Sequence, residues 1–128
     1  MTSADPIIAV VDDESSVRTM LGRLLRLAKY QVIAFASGEE FLGSLTARTP
    51  ACAILDVHMP GLSGLEVQSK LRISQLRIPV VLITASDDAA LDRSALEMGV
   101  VRLLRKPFSS DALLEAVGIA LARTKEGT

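Results

Sequence analysis

The sequence has no tryptophan, one tyrosine and three phenylalanines among 128 residues. Proteins that hold single-stranded nucleic acid by stacking its bases need aromatic platforms, and this chain has little to build one from. Its one cysteine, Cys52, excludes an internal disulfide. A reducing compartment, the cytoplasm, is the expected setting. An excess of either charge is also missing, since 14 Lys and Arg stand against 15 Asp and Glu, a net charge of −1. The basic footprint of a nucleic-acid surface is therefore absent, and no direct nucleic-acid partner is expected. No apolar run approaches the roughly 18 residues of a membrane span. Met1–Asp5 carries no basic residue, and Ile7–Val11 is short and ends in acid. Neither a secretory leader nor a membrane anchor is expected from these residues.

What is present describes a globular chain, 49% hydrophobic and 23% charged. That length suits one domain with a core that needs no disulfide or metal staple. A single domain over 1–128 is expected, with its core at about 6–123 and a polar tail at 124–128 that frays.

Two kinds of segment alternate. Short apolar runs fall at Ile7–Val11, Gln31–Phe35, Ala51–Leu55, Val80–Ile83 and Val101–Leu104. Their lack of period-2 alternation points to strands buried on both faces, as in a parallel sheet, with the more mixed second and fifth runs at its edges. Between them, apolar residues recur at helical spacing. Val17, Met20, Leu21, Leu24, Leu25 and Ala28 form one stripe, and Phe41, Leu42 and Leu45 a second. Leu65 and Leu71 belong to a third, Leu91, Ala95 and Met98 to a fourth, and Leu113, Leu114, Val117, Ala120 and Leu121 to a fifth. Ser37 with Glu40 reads as a capping box, and Ser109 or Ser110 with Asp111 as a helix start. Gly99 stands where a C′ glycine is expected. Five strands alternating with five helices imply right-handed crossovers and a doubly wound α/β three-layer sandwich.

Ligand sites in such sheets lie outside the carboxyl ends of the strands, near the switch point. The first strand ends in Asp12 and Asp13, the third in Asp56, the fourth in Thr84, and the fifth in Arg105, Lys106 and Pro107. In the order 2-1-3-4-5 the three aspartates converge. Like charges at about 4 Å repel by ~4 kcal/mol at an effective dielectric near 20, so such a cluster calls for a cation. All-oxygen ligands suit Mg²⁺ or Mn²⁺ better than zinc. A divalent cation, the Lys106 ammonium, the Thr84 hydroxyl and one carboxylate nucleophile make a phosphoryl-transfer site.

The motifs VVDDE at 10–14, LDVHMPGLSGLEV at 55–67, PVVLITA at 79–85 and KPF at 106–108 resemble the response-regulator receiver family of two-component signalling. The resemblance covers about Ile7 to Ala122. It implies a flavodoxin-like (βα)5 fold and a phosphoacceptor, Asp56, charged by a histidine kinase or phosphotransfer protein. It implies Asp13 as a direct metal ligand, Asp12 acting through water, and the backbone carbonyl of His58 as a further ligand. Thr84 resembles the switch hydroxyl, and Lys106 the lysine that pairs with the acceptor and then with its phosphate. Pro107 is implied to follow a cis peptide bond. Pro60, Gly61 and Gly64 shape the loop after Asp56, the glycines by permitting positive φ. Leu103 departs from the family, which usually has Tyr or Phe there and couples that ring to the threonine. The output face implied is the fourth helix, fifth strand and fifth helix, with apolar contact from Leu103, Val101 and parts of Leu91–Met98. Phosphorylation is expected to promote a homodimer or a partner contact there. The wording around Asp56 resembles receivers joined to LuxR-type DNA-binding domains, which points to transcription regulation; a stand-alone regulator is the other reading.

Other readings fit less of the sequence. A haloacid-dehalogenase-like phosphatase needs D-x-D, where this chain has Asp56-Val57-His58. A flavodoxin-like cofactor binder needs a phosphate loop after the first strand, where Asp12-Asp13-Glu14 would repel a phosphate. A degenerate receiver that works by contact alone is the alternative within the family. On the receiver reading the chain is a signalling domain, not an enzyme acting on other substrates.

Overall fold

A computed structural model describes residues 5–126, with side chains as far as 123. Five strands alternate with five helices: β1 (Ile7–Val11), α1 (Ser15–Leu27), β2 (Gln31–Phe35), α2 (Gly38–Ser44), β3 (Cys52–Asp56), α3 (Gly64–Ile73), β4 (Val80–Thr84), α4 (Ala90–Glu97), β5 (Arg102–Arg105) and α5 (Ser110–Glu126). The sheet is parallel in the order β2-β1-β3-β4-β5, the doubly wound arrangement expected. Every residue of β3 and β4 is buried, whereas β2 and β5 are mostly half-exposed. Unbroken apolar runs thus mark central strands and mixed runs mark edges.

Each face of the sheet carries its own core. Ala9, Val11, Leu55 and Leu82 pack with Phe41 of α2, Val67 and Leu71 of α3, and Ala95 of α4. Ile8, Val10, Ile54 and Ile83 pack with Leu21 and Leu25 of α1, and with Leu113, Val117 and Ala120 of α5. Full burial of one such side chain contributes about 1.5–3 kcal/mol, and alternate residues of each strand supply both layers. Among the described residues no helix is long and apolar enough to cross a membrane.

Several local expectations shift. Met20 lies in the α1 stripe but is 49% exposed, because the buried arc of α1 is narrow and centres on Leu21 and Leu25. In α3 the buried anchors are Val67 and Leu71, with Leu65 half-buried. The Ser37 hydroxyl accepts from the Glu40 N–H as a cap, but the reciprocal capping box forms at Ser63 and Glu66. Ser109 caps α5 by accepting from the Ala112 N–H. Gly99 takes a φ of 75° after α4, and Lys29 and Gln75 take the same left-handed conformation after α1 and α3. In all three, two backbone N–H groups fold back onto the last turn, as in the Schellman motif. The backbone of α5 runs to Glu126 through the first part of the expected polar tail; Gly127 and Thr128 lie outside the described residues.

Candidate functional site

Strand register brings the chemistry to one edge. Val11 pairs with Leu55, Asp56 with Ile83 and Thr84 with Arg105, so the carboxyl ends of β1, β3, β4 and β5 lie side by side. Asp12 follows β1 and is fully buried. Its backbone is fixed by an N–H donated to the Phe35 carbonyl at 3.2 Å and a carbonyl accepting Arg18 Nη1 at 2.7 Å. Its Oδ1 accepts the Glu14 N–H at 2.9 Å. Asp56 is 5% exposed, and its Oδ1 accepts the His58 N–H at 3.2 Å. Each aspartate thus closes a turn with the backbone two residues on, which aims both carboxylates off the end of the sheet.

Asp12, Asp13 and Asp56 each offer a carboxylate oxygen within 4.8 Å of the others. Asp13 is exposed and the other two are buried. Lys106 Nζ stands 3.3 Å from Asp12 Oδ2, 3.7 Å from Asp56 Oδ2 and 3.9 Å from Glu14 Oε1. One ammonium therefore faces three carboxylates, with Asp13 beside two of them. The Asp56 carboxyl is pushed up to about 6, by burial first and then by the Asp12 charge, against the opposing pull of the His58 N–H and Lys106. Converging hard oxygens with no thiolate or imidazole among them fit a cation of the Mg²⁺ or Mn²⁺ type.

Thr84 is fully buried at the end of β4. Its Oγ1 accepts the Ser86 N–H at 3.0 Å, which leaves its own O–H to donate. The Lys106–Pro107 peptide is cis, and the Lys106 N–H bonds the Thr84 carbonyl at 2.7 Å. In the loop after Asp56, Pro60 is exposed and Gly61 has a φ of 76°. Gly64 does not take a positive φ, contrary to the expectation for both glycines. A Cβ there would lie 2.5 Å from the Asp56 carbonyl oxygen, so its role is close backbone approach at the start of α3.

The His58 side chain is exposed at the rim, and Leu103 is half-buried against the core under α4. Val101, expected on an outer face, is only 6% exposed and packs with the α1–α5 core; it precedes β5 and points inward. The large apolar side chain that α4 exposes is Leu96, at 79%. Cys52 is buried, and burial pushes its thiol up to about 12, so it packs as a small hydrophobe. Two residues went unassigned from sequence. Glu14 was visible in the acidic run, but nothing signalled its reach to Lys106. Arg105 only marks the end of the fifth strand in the sequence, yet its guanidinium holds the segment between β4 and α4.

The sequence pattern of the response regulator receiver domain matches residues 8–118. Nodulation protein W of Bradyrhizobium diazoefficiens is 38% identical over 124 residues, which are 97% of this chain and 55% of that protein. The transcriptional regulatory protein TdiR of Thauera aromatica is 37% identical, over 93% of this chain and 52% of its own length. The chain thus spans about half the length of these relatives. A crystal structure of FixJ-N superimposes with a TM-score of 0.86 at 30% identity, covering 95% of this chain and 96% of that one.

Proposed function

The chain belongs to the response regulator receiver domain family, and from that premise we propose that Asp56 accepts a phosphoryl group and that Thr84 and Lys106 turn its arrival into a change at α4, β5 and α5. The observation that carries the reading is the convergence of Asp12, Asp13 and Asp56 under one lysine. Receiver domains work with histidine kinases or phosphotransfer proteins, and the donor here is a phosphohistidine on such a partner.

At neutral pH the Asp56 carboxyl, with its value near 6, is mostly ionised and nucleophilic. A carboxylate oxygen forms the new P–O bond as the P–N bond of the donor breaks, and the electron pair stays on the imidazole. Asp12, Asp13, Asp56 and the His58 carbonyl would hold Mg²⁺ or Mn²⁺, which when bound neutralises charge on the transferring group. Lys106 supplies further positive charge from its place between Asp12 and Asp56. The product carries a charge near −2. Lys106 has three donors to redistribute, and the Thr84 O–H is free to donate to a phosphoryl oxygen. When Thr84 turns, the Ser86 N–H loses its acceptor and the segment leading to α4 is released.

The face formed by α4, β5 and α5 is the proposed output surface, with Leu96 its exposed apolar contact and a second copy its proposed partner. Transcription regulation is the proposed role of the whole protein, by analogy with the relatives' names, with phosphotransfer in the cytoplasm.

Incubation with Mg²⁺ and a small-molecule phosphodonor, read by intact mass, tests the reading. One added phosphoryl group, dependent on Mg²⁺ and lost in Asp56→Asn, is expected. No addition to the folded protein would favour a receiver that acts by contact alone. Equal sedimentation of the free and beryllofluoride-treated forms would remove the homodimer from the proposal.

A further inference from the structure

Arg105 ends β5 one residue before Lys106, and its guanidinium holds two neighbouring pieces of structure together. Nε donates to the Ser86 carbonyl at 3.1 Å and Nη2 to the Asp88 carbonyl at 2.8 Å. The same group forks onto the Asp92 carboxylate, Nη1 to Oδ1 at 3.0 Å and Nη2 to Oδ2 at 3.1 Å. Ser86 and Asp88 lie between β4 and α4, and Asp92 lies in the first turn of α4.

That intervening segment is a ladder of local bonds that begins at Thr84. Thr84 Oγ1 accepts the Ser86 N–H at 3.0 Å, Ser86 Oγ accepts the Asp88 N–H at 3.1 Å, and Asp88 Oδ1 accepts the Ala90 N–H at 2.9 Å. Each rung is a side-chain oxygen taking a backbone donor two residues on. The first rung is the Thr84 hydroxyl, and the last reaches the first residue of α4. Apart from the first rung at Thr84, none of these bonds ties segment 85–89 to the sheet. Among the described residues, Arg105 is the one side chain other than Thr84 from outside the segment that hydrogen-bonds it.

We propose that Arg105 is a positioning residue that ties the state of the Thr84 hydroxyl to the placement of α4, so that segment 85–89 and the first turn of α4 move as one body. The inference rests on the reading of Thr84 as the switch hydroxyl. When that hydroxyl leaves the Ser86 N–H, the Ser86 and Asp88 carbonyls shift, and the rigid planar fork carries the shift to Asp92. A lysine, being a point charge, cannot span two carbonyls and a carboxylate together. With leucine at 103 there is no ring to serve as the coupling element, and Arg105 sits two residues along the same strand. The Arg105 and Asp92 side chains are 33% and 58% exposed, and exposed ion pairs add little to stability. The fork therefore acts on coupling rather than on overall folding.

The test is a double-mutant cycle on the full chain without phosphoryl group or metal, read by amide hydrogen exchange across α4. In the Arg105 background, Thr84→Ala is expected to change α4 exchange by about threefold or more, and in Arg105→Ala by less than about 1.5-fold, as for residues coupled in one hydrogen-bond network. Thr84→Val repeats the cycle with side-chain volume kept, and Arg105→Lys is expected to behave as Arg105→Ala. Equal effects of the Thr84 change in both backgrounds would overturn the proposal, as would full coupling through lysine. The cycle needs no phosphoryl group, so additivity would sink the role of Arg105 alone. A protein that takes no phosphoryl group would sink the reading of Asp56 alone.

Discussion

Lys106 stands closer to Asp12 than to Asp56, at 3.3 Å against 3.7 Å, and reaches that partner across 94 positions of sequence. Asp12 is fully buried, and a buried carboxylate is costly unless a charge or donors answer it. In the phosphoryl-free state the lysine therefore serves Asp12 first, and it lies within a short movement of Asp56.

Lys106→Met strands the Asp12 charge. A loss of about 1–3 kcal/mol at pH 7 is expected, below the range for fully buried pairs because the lysine is partly solvated. Urea unfolding measures it. Adding Asp12→Asn should recover most of the loss; an undiminished loss in the double variant would show that the ion pair is not its cause.

The raised Asp56 carboxyl makes a signed prediction about pH. Its folded value, about 6, exceeds its unfolded one, so the folded state holds the proton more tightly. The stability this gives is present below about pH 4 and is lost as pH rises through about 6, a swing of about 1–3 kcal/mol. Asp56→Asn removes that component. In metal-free buffer the variant's advantage over the parent protein should therefore grow from pH 4 to pH 7, and a flat difference would contradict the assignment.

Crowded carboxylates also predict stabilisation by Mg²⁺. A site filled at tenfold its Kd adds about 1.4 kcal/mol, visible as a rise in Tm. Asp13→Asn should abolish most of that rise while leaving the metal-free Tm close to the parent's, because Asp13 is exposed.

Glycines 64 and 43 should respond oppositely to alanine. At Gly64 a Cβ meets the Asp56 carbonyl oxygen at 2.5 Å and Leu82 at 3.1 Å, whereas at Gly43 in α2 it meets nothing within 4 Å. Gly64→Ala is expected to cost about 1–3 kcal/mol, as for overpacking against backbone, and to slow phosphorylation by displacing Asp56. Gly43→Ala should be neutral or add up to about 1 kcal/mol. Thermal unfolding of the two variants, side by side, decides.

The sheet was legible because β3 and β4 are buried on both faces, which forces unbroken apolar runs. The acid cluster was legible because Asp12 and Asp56 each follow or end such a run. What stayed hidden depends on contacts across the chain. Nothing local in Arg-Leu-Leu-Arg shows that Arg105 meets Asp92, 13 positions earlier. The preference of Lys106 for Asp12 is decided by differences of tenths of an ångström. Val101 looked available for a surface because the apolar run begins one residue before the strand; β5 starts at Arg102. Gly64 looked like a turn glycine because close backbone approach and positive φ favour the same residue.

The most direct test of the central claim is to find where the phosphoryl group sits. After reaction with phosphodonor and Mg²⁺, borohydride reduction converts an aspartyl phosphate to an alcohol, and peptide mass spectrometry reads the position. Reduction at residue 56 alone, absent without donor, is the predicted result. Reduction at Asp12 or Asp13, or no reduction in a protein whose mass shows phosphoryl addition, would contradict it.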